Sequence, residues 1–445
     1  MNSQTPPIGK NTPLSSDPEP RFASASGIRI AALRLLDRLT PWRIIGAAVL
    51  LRLVFGLVWV LFVNAPPENV PIAGDTWEQA GADGYIQIAR TLLVSGEYAF
   101  APGSFPVHNR PPMQALLLLV FGAWWPSHWF VVWIFGSALL SLAMLLGLRA
   151  LAKEMNFSDR SLRLLLLLAG FHPYMIFISK TTTFINAAAV LLVIAVLLLF
   201  RIRRDPLPYS VLAGLSMGAG ALTHGTFLLL PLFSAPFILS QRTIPFSRRI
   251  AATVLVIVAA LIVVAPWTVR NTQTFDRFIP VVTGNGYHYW KGDAVYFGGN
   301  YPMARLYEAE TGKRFEEKYY GAVDPDADAV LWKLAKADMF ARPERIPLRL
   351  LIGTWTFIAP TDGGPRKMLV SALLNIPLVL ILLLLFWRRL RSRTLTREQL
   401  ALAFLLLYIV EAFAFFVSWG SYFTMLLPLA LLLTISLFRK NHKAT

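Results

Sequence analysis

The chain has 445 residues, of which 56% are hydrophobic and 15% are charged, and its formal net charge is +17. A soluble globular protein has about a quarter of its residues charged, so the composition excludes an ordinary soluble domain. The chain contains no cysteine, which excludes disulfides, thiolate catalysis and cysteine-based metal sites.

The positive charge is concentrated in short stretches and does not indicate a nucleic-acid partner. Of the 42 Lys and Arg residues, 24 lie beside apolar segments, in residues 1–43, 149–163, 201–204, 242–249, 388–397 and 439–443. Basic residues accumulate in this way in the cytoplasmic loops of membrane proteins. Because no nucleic-acid-binding motif accompanies them, we place these stretches on the cytoplasmic side and predict no nucleic-acid partner.

The apolar runs, taken in chain order, predict an all-α polytopic membrane protein. Hydrocarbon about 30 Å thick needs about 20 helical residues to cross it. We predict about 10 transmembrane helices, in residues 43–63, 128–149, 162–179, 184–200, 208–223, 225–240, 250–268, 369–387, 399–417 and 422–438. Two runs, Met113–Trp125 and Ile346–Pro360, are too short to cross and are predicted as juxtamembrane helices.

These assignments divide the chain into four regions. Residues 1–42 form a cytoplasmic N-terminus, largely disordered because its first 26 residues are rich in Pro and Ser and lack a secretory signal pattern. Residues 43–268 form a transmembrane module with an outward loop at 64–112. Residues 269–367 form an outward subdomain, and residues 368–445 form the last helices and a cytoplasmic tail. Function is expected on the two outward segments, because loops carry chemistry more often than apolar spans do.

The first outward loop contains an aspartate in front of a short helix. Apolar residues recur at helical spacing from Tyr85 to Leu93, which predicts an amphipathic helix on the membrane surface. Asp83 lies at the N-terminal end of that helix, where the helix dipole favours a carboxylate. Judged from its position alone, Asp83 is more simply a helix cap than a catalytic group.

The same loop ends in His108-Asn109-Arg110-Pro111-Pro112, directly before the apolar helix at 113. The two prolines favour an extended entry followed by a helix start. Arg110 is thereby placed at the headgroup boundary. It either snorkels to lipid or binds the phosphate of a lipid-linked substrate through its planar guanidinium.

The second outward segment opens with Pro266–Asn271 and continues through Thr283–Asp293. Trp267 and Arg270 are typical interface anchors at the end of a span. The residues Asn285, Tyr287 and Trp290 lie in a Gly-Asn-Gly and aromatic stretch that suits a sugar, because glycine admits a close ligand and aromatic faces pack on sugar rings. Further on, the spaced aspartates of residues 324–328 lack the Gly and terminal Glu of a calcium loop and favour an exposed acidic turn.

In this order, the motifs resemble the GT-C superfamily of membrane glycosyltransferases, and specifically bacterial family 39 relatives of the dolichyl-phosphate-mannose protein mannosyltransferases and of the lipid A aminoarabinose transferase. The resemblance covers roughly residues 43–300. The matching residues are Asp83, Tyr85, Ile88-Ala89, Gly96-Glu97-Tyr98, Arg110-Pro111-Pro112, the Pro-Trp-x-x-Arg-Asn element at 266–271, and the stretch from Gly284 to Asp293.

The resemblance implies an enzyme that moves one sugar from a polyprenyl-phosphate donor to a glycan, lipid or protein acceptor. It implies a bacterial inner-membrane location, with both termini cytoplasmic and chemistry facing the periplasm or exterior. Asp83 would be the general base that deprotonates the acceptor hydroxyl. Arg110, Arg270 and Lys180 would bind the donor phosphate. Substrate contacts are expected from Tyr85, His108, Asn285, Tyr287 and Trp290.

This sequence departs from the family pattern at three turns. Residues 179–186 carry no acid, so the sequence does not support a divalent metal ion that bridges two carboxylates. It predicts no other cofactor. The turn at residues 223–225 has His224 where a basic residue is common. The pair Ser421-Tyr422 stands where Arg-Tyr is common.

Two other classes of function remain open. A transporter or flippase of a lipid-linked or anionic substrate would need paired ionisable residues inside the bilayer, of which this chain offers few. Arg52 and Glu411 are the main ones, and they suggest a pair that acts as a structural tie. A non-catalytic scaffold that binds lipids is the other alternative. Asp83 separates the classes, because only the enzyme requires that carboxylate.

Overall fold

The computed structural model describes residue 34 and residues 36–63, 84–125, 128–300, 302–318, 322–359 and 364–438. Its first half contains eleven α-helices: α1 (Pro41–Val58), α2 (Tyr85–Ser95), α3 (Pro112–Leu118), α4 (Trp129–Glu154), α5 (Asp159–Phe171), α6 (Pro173–Ile178), α7 (Ile185–Arg201), α8 (Pro206–Ala221), α9 (Leu230–Phe233), α10 (Ala235–Leu239) and α11 (Phe246–Phe275). Helices α1 and α3 continue as π-helical turns to Val63 and Ala123, and a 3-10 turn, Gly225–Leu229, precedes α9.

The described residues of the second half add seven α-helices and one short strand pair. These are α12 (Asn285–Phe297), α13 (Met303–Thr311), β1 (Glu317–Lys318), β2 (Ala322–Val323), α14 (Pro325–Ala341), α15 (Arg345–Ile358), α16 (Gly364–Arg391), α17 (Arg397–Phe416) and α18 (Phe423–Phe438). The two strands pair antiparallel.

Among the described residues, five helical stretches are long and apolar enough to cross a membrane: Pro41–Phe62, Trp129–Glu154, Phe246–Phe275, Met368–Arg391 and Arg397–Phe416. Four shorter apolar stretches accompany them: Pro112–Ala123, Ile185–Arg201, Gly225–Leu239 and Phe423–Phe438. The predicted helical membrane fold is therefore confirmed. The predicted number of ten crossings remains a prediction.

The helices pack side by side in a bundle, and small residues bring two of them into close contact. Gly214 and Gly218 lie one turn apart on α8 and face α11. A methyl group on Gly218 would lie 2.7 Å from the carbonyl oxygen of Ala260. In lipid, where apolar surface alone gives little drive for association, such small residues let helix backbones approach and pack.

The predicted span at 162–179 is interrupted. It consists of α5 and α6, separated at His172 because Pro173 cannot continue the helical hydrogen bonding. Arg52 of α1 is fully buried and donates to the carbonyl oxygens of Ala169 (2.8 Å) and Gly170 (3.1 Å) at the end of α5. Arg52 therefore satisfies carbonyls that the helix break leaves without an intrahelical partner.

Arg52 and Glu411, which the sequence suggested as a pair, are not bonded to each other. Glu411 on α17 accepts a hydrogen bond of 3.3 Å from Thr354 of α15, whereas Arg52 is bonded to α5. The two intramembrane charges are thus tied separately to neighbouring helices. A charge pair of the kind expected in a transporter is not formed by these two residues.

Charged residues gather at one end of the bundle. Glu154, at the end of α4, is buried and forms ion pairs with Arg201 (3.2 Å) and Arg204 (2.8 Å) after α7. Arg160 and Arg163, at the start of α5, both pair with Asp37. The opposite end carries the first loop and the segment that follows α11.

Helices α12, α13 and α14 with the strand pair form a small subdomain at that opposite end. Its core is formed by Tyr287, Tyr289, Trp290, Met303, Ala327, Leu331 and Ala335. Buried Arg349 of α15 ties α12 to the bundle by donating to the carbonyl of Tyr289 (3.1 Å) and to the carboxylate of Asp293 (3.1 Å).

Candidate functional site

The first loop and the segment after α11 are joined by backbone hydrogen bonds. The Thr283 N–H donates to the carbonyl of His108 at 3.1 Å. Five residues further along the loop, the Met113 N–H donates to the carbonyl of Leu222 at 2.9 Å, at the end of α8. Arg110 lies between these two attachment points. It is therefore held close both to the turn at His224 and to the start of α12.

Arg110 lies near two histidines on different parts of the chain. The phenol of Tyr98 donates to the carbonyls of Arg110 (3.2 Å) and Pro111 (3.0 Å), which fixes the backbone before α3. The Arg110 side chain is half-buried, and its charge is felt by both His224 and His288. Arg110 is therefore close enough to both imidazoles for its charge to lower their pKa values.

Both histidines are held in the neutral form. Burial, with a smaller contribution from the Arg110 charge, lowers the pKa of His224 to about 3. Burial lowers the pKa of His288 to about 3 as well, helped by the charges of Lys291 and Arg110. The groups that act on these rings are all basic. We call Arg110, His224, His288 and Lys291 the basic cluster.

Aromatic side chains surround His224. The His224 ring lies 4.6 Å from Phe184, 4.8 Å from Phe413 and 5.9 Å from Tyr422, measured between ring centroids. These rings belong to three parts of the bundle, namely the start of α7, the end of α17 and the turn before α18. His224 is therefore packed among aromatic rings, of which Phe184 and Phe413 are buried.

A second aromatic pair flanks the lysine of the cluster. The Lys291 ammonium lies 5.5 Å from the ring centre of Tyr287 and 5.7 Å from that of Trp419. Trp419 belongs to the turn between α17 and α18 and is half-buried.

Arg270 is bound to the first loop by direct contacts. Its guanidinium donates to the carbonyl of Val107 at 2.9 Å and lies 4.9 Å from the ring centre of Trp267. It also donates to the side-chain oxygen of Asn271 at 3.0 Å. These contacts join the end of α11 to the loop that carries Arg110, so Arg270 supports the site whether or not it also touches a phosphate.

Lys180 occupies a different aromatic surrounding. Its ammonium lies 3.3 Å from the ring centre of Trp59 and 4.4 Å from that of Phe177. The acid-free turn that follows it is attached to the helices around it, because Gln114 donates to the carbonyl of Thr182 and Trp133 donates to that of Thr181, both at 2.8 Å.

The predicted substrate-binding residues differ in accessibility. Tyr85 and His108 are buried at the first loop, and His108 is hydrogen-bonded through Nδ1 to the hydroxyl of Thr283. Asn285 is exposed at the start of α12. Tyr287 and Trp290 are buried in the core of the subdomain, where the Trp290 indole donates to the carbonyl of Leu331 at 3.1 Å.

The glycines of the Gly-Asn-Gly element serve helix packing. Gly284 has φ +110°, a conformation that residues with a side chain rarely adopt. A methyl group on Gly286 would overlap the backbone nitrogen of Trp332 and lie 2.6 Å from the carbonyl of Asp328. These glycines allow α12 to lie directly against α14, which differs from the close ligand approach suggested by the sequence.

The predicted catalytic carboxylate, Asp83, lies outside the described residues. The next residue, Gly84, is buried and precedes α2. Helix α2 is not the amphipathic surface helix predicted for this loop, because the seven residues Tyr85–Thr91 are all buried, including the polar ones. Its first two turns are therefore part of the protein interior.

The aspartates of residues 324–328 have individual structural roles. Asp324 caps α14 by accepting from the N–H of Asp326 at 2.8 Å, and Asp326 pairs with Arg277 on the surface. Asp328 is buried and accepts from the backbone of α12. Within the described part of the chain, no group of three His, Asp or Glu side chains is arranged to hold a metal ion.

An apolar groove of about 580 Å³ lies on the side of the bundle. Its walls are α8, the 3-10 turn Gly225–Leu229 with α9, and α11, and its lining includes Ala221, Leu229, Leu261, Thr268 and Pro280. Leu229 and Leu261 are each about half exposed, at 51% and 54%, so the groove opens sideways toward the membrane. The only hydroxyl among the groove's lining residues is that of Thr268, which already donates to the carbonyl of Pro280 at 2.8 Å.

Sequence reasoning missed two residues of the basic cluster. His288 and Lys291 lie three residues apart on α12 and therefore on one side of the helix. Their spacing of three residues within an aromatic stretch could have indicated a shared helix face. The sequence could not show the hydrogen bond from Thr283 to His108, which brings α12 against the first loop.

The comparisons with known proteins agree with a glycosyltransferase assignment. Residues 110–311 match the model of Glycosyltransferase family 87, which is slightly less than half of the chain. The motifs had suggested family 39. A comparison with curated proteins found no match.

Solved structures with a similar arrangement include the oligosaccharyltransferase AglB of Archaeoglobus fulgidus in complex with an inhibitory peptide and a dolichol-phosphate. It is 16% identical with a TM-score of 0.47, and the alignment covers 87% of this chain and 50% of that one. ArnT from Cupriavidus metallidurans bound to undecaprenyl phosphate is 17% identical with a TM-score of 0.38, covering 88% and 77% of the two chains. The chain thus spans about half the length of the archaeal enzyme. The family-model match is thus a likeness to a glycosyltransferase family over residues 110–311, in line with the class of enzyme that the motifs predicted.

Proposed function

We propose that this protein transfers a single sugar from a polyprenyl-phosphate donor to an acceptor at the outer face of the cytoplasmic membrane. One observation carries the proposal: the 3-10 turn Gly225–Leu229 joins the basic cluster to the apolar groove. His224 caps this turn, and Leu228 and Leu229 at its other end line the groove. A basic site and an apolar groove four residues apart fit a phosphate attached to a long hydrocarbon chain.

The phosphate end of the donor is assigned to Arg110, His288 and Lys291. A guanidinium forms two parallel hydrogen bonds with phosphate oxygens, and an ammonium adds a point charge. The neutral imidazole of His288 donates one N–H. Each charged hydrogen bond of this kind contributes about 1.5–3 kcal/mol. Arg270 holds the loop backbone beside Arg110, and Lys180 remains a candidate for a second contact.

The hydrocarbon end of the donor is assigned to the groove between α8, α9 and α11. Burying one methylene contributes about 0.8 kcal/mol in transfer from water. A polyprenyl chain already lies in hydrocarbon, so the groove selects by shape and by the position of the headgroup above it.

The chemical step is a displacement at the anomeric carbon. The acceptor oxygen forms a bond to that carbon, the bond from the carbon to the phosphate oxygen breaks, and the phosphate leaves with the electron pair. The acceptor proton passes to Asp83, which precedes Tyr85 by two residues in the sequence and belongs to the same predicted loop, 64–112, as Arg110. Cations on the leaving phosphate stabilise the charge that develops there. No second carboxylate is required, in contrast to a glycoside hydrolase.

We further propose that the protein lies in the bacterial inner membrane and crosses it ten times, with both termini in the cytoplasm. In this arrangement residues 269–367 form an outward subdomain above the module at 43–268. The clustering of Arg201, Arg203 and Arg204 around Glu154 at the end opposite the basic cluster supports this orientation, because basic residues favour the cytoplasmic side.

Binding of lipid phosphate to the purified protein in nanodiscs tests the proposal. We expect undecaprenyl phosphate to bind, and the matching alcohol, which lacks the phosphate, to bind at least about tenfold more weakly. The Arg110→Gln variant should lose most of that difference. Arg277→Gln is the matched control, because Arg277 is a surface arginine paired with Asp326. Equal binding of phosphate and alcohol by the wild type would contradict the proposal.

A further inference from the structure

The start of α12 is capped by a carboxylate from another helix. Asp328 of α14 is 6% exposed. Its Oδ2 accepts the backbone N–H of Gly284 and its Oδ1 accepts that of Tyr287, both at 2.9 Å. Two backbone donors at the start of α12 thus bond to one buried side chain.

Helix α12 has no capping side chain of its own. Its N-cap residue is Gly284, which has no side chain to accept a hydrogen bond and adopts φ +110°. The first N–H groups of a helix lack intrahelical partners, and leaving them buried and unsatisfied is costly. The carboxylate that accepts two of them, from Gly284 and Tyr287, is 44 and 41 residues away in sequence, so the cap also fixes the position of α12 relative to α14.

The cap lies one turn from the residues assigned to the phosphate. His288 follows Gly284 by four residues and its N–H bonds to the Gly284 carbonyl at 2.8 Å, so the ring stands directly on the capped turn. The His288 ring also lies beside Gly284, where a methyl group would be 3.2 Å from it. Lys291 is on the next turn. Any movement of the capped turn is therefore passed on to both side chains.

The cap also reduces the capacity of this helix terminus to bind an anion by itself. A helix N-terminus attracts anions because its N–H groups point outward and its dipole is positive there. In α12 the N–H groups of Gly284 and Tyr287 already donate to Asp328. A phosphate at this place therefore depends more on where the side chains of His288 and Lys291 lie.

We infer that Asp328 is a positioning residue for the donor-phosphate site, acting through the N-terminal turn of α12 on His288 and Lys291. This inference rests on the proposed function. Asp328 does not touch the donor. It determines how well the two basic side chains reach the phosphate, so its loss should weaken donor binding more than it slows the chemical step.

Distance measurements between two spin labels test the positioning directly, without relying on activity. The natural chain has no cysteine, so labels can be attached at Gln273→Cys on α11 and Asn285→Cys on α12, both exposed. In this background we expect Asp328→Ala to broaden or shift the distance distribution, and Asp328→Asn, which keeps one acceptor oxygen, to do so less. The control is Asp326→Asn, which changes an exposed aspartate two residues away and should leave the distances unchanged.

Donor binding and kinetics are then measured on the same substitutions without labels. We expect Asp328→Ala to raise the Kd for undecaprenyl phosphate and the KM for the donor about tenfold or more, with a smaller change in kcat, and Asp328→Asn to restore part of the affinity. Unchanged distances, or altered distances with unchanged lipid-phosphate affinity, would overturn the inference. If the wild type binds no lipid phosphate while the distances still change in Asp328→Ala, the proposed function fails, and the phosphate-positioning role fails with it, although the cap itself stands.

Discussion

Gly292 of α12 lies directly against the carbonyl oxygen of Phe416 at the end of α17. A methyl group built on Gly292 would overlap this oxygen and would lie 2.9 Å from the guanidinium of Arg349. The Trp-x-Gly-Asp element therefore needs glycine because two helix backbones cross there. The contact joins the subdomain that carries His288 and Lys291 to the membrane-spanning bundle.

Substituting Gly292 by alanine should destabilise the protein. Overpacking commonly costs about 1–3 kcal/mol, and here the obstacle is backbone, which cannot rotate away. We expect Gly292→Ala to lower the thermal unfolding temperature in detergent. Gly46→Ala is the matched control, because a methyl group there meets nothing within 4 Å. Equal unfolding temperatures for the two variants would show that the crossing is loose.

Changing Arg110 should affect the donor more than the fold. Loss of its charged hydrogen bonds in Arg110→Gln should weaken donor binding about 10- to 100-fold, corresponding to about 1.5–3 kcal/mol. Arg110→Lys should recover only part of this, because an ammonium lacks the planar pair of donors. Donor KM and thermal unfolding are measured together. A fall in unfolding temperature with unchanged KM would assign Arg110 to structure alone.

We predict that the stability of the protein depends on pH because the pKa values of the two histidines of the basic cluster are lowered on folding. In the folded protein the pKa values of His224 and His288 are lowered to about 3, whereas an unfolded histidine titrates near 6.5. Between those values the unfolded chain binds protons that the folded chain does not, so stability is complete above about pH 6.5 and falls as the pH decreases. Each histidine contributes at most about 1.4 kcal/mol per pH unit.

Thermal unfolding at several pH values between 7 and 5 measures this effect. We expect His288→Gln and His224→Gln each to reduce the steepness of the decline, since the substituted residue no longer binds a proton when unfolded. A decline of the same steepness in the double variant would assign the pH dependence to other groups.

Arg52 and Glu411 should contribute to stability independently. Arg52 donates to carbonyls of α5 and Glu411 accepts from Thr354 of α15, so the two side chains have separate hydrogen-bond partners. The effects of Arg52→Gln and Glu411→Gln on the free energy of unfolding should add within about 0.5 kcal/mol. A coupling well above that value in a double-mutant cycle would restore the structural pair that the sequence suggested.

The membrane helices could be predicted from the sequence because their signal is local. A run of about 20 apolar residues is visible in the chain itself, and the predicted span at 128–149 corresponds to Trp129–Glu154. The break at Pro173 inside the predicted span 162–179 was missed, because an apolar run continues across it. There the backbone of proline, and not hydropathy, determines where the helix ends.

The candidate site was predicted only in part, because its groups come together over long sequence distances. Arg110 was proposed as a phosphate ligand from its local motif, which stays a prediction, whereas His224 was noted only as a departure from the family pattern. His288 and Lys291 depend on the bond from Thr283 to His108, which spans 175 residues, and the Asp328 cap depends on the packing of α12 on α14. The spaced aspartates predicted an acidic turn, and two of them behave so, but the burial of Asp328 is a property of the tertiary fold.

Mass spectrometry of envelope glycoconjugates and polyprenyl-phosphate sugars tests the central claim most directly. Cells with the wild-type protein, with no copy, and with Asp83→Asn are compared, with membrane levels of the variant checked. We predict that one sugar residue is found only with the wild type and that its lipid-linked donor accumulates in the other two strains. Wild-type glycoconjugates in the Asp83→Asn strain would contradict the account and leave Asp83 as a helix cap in a protein of another function.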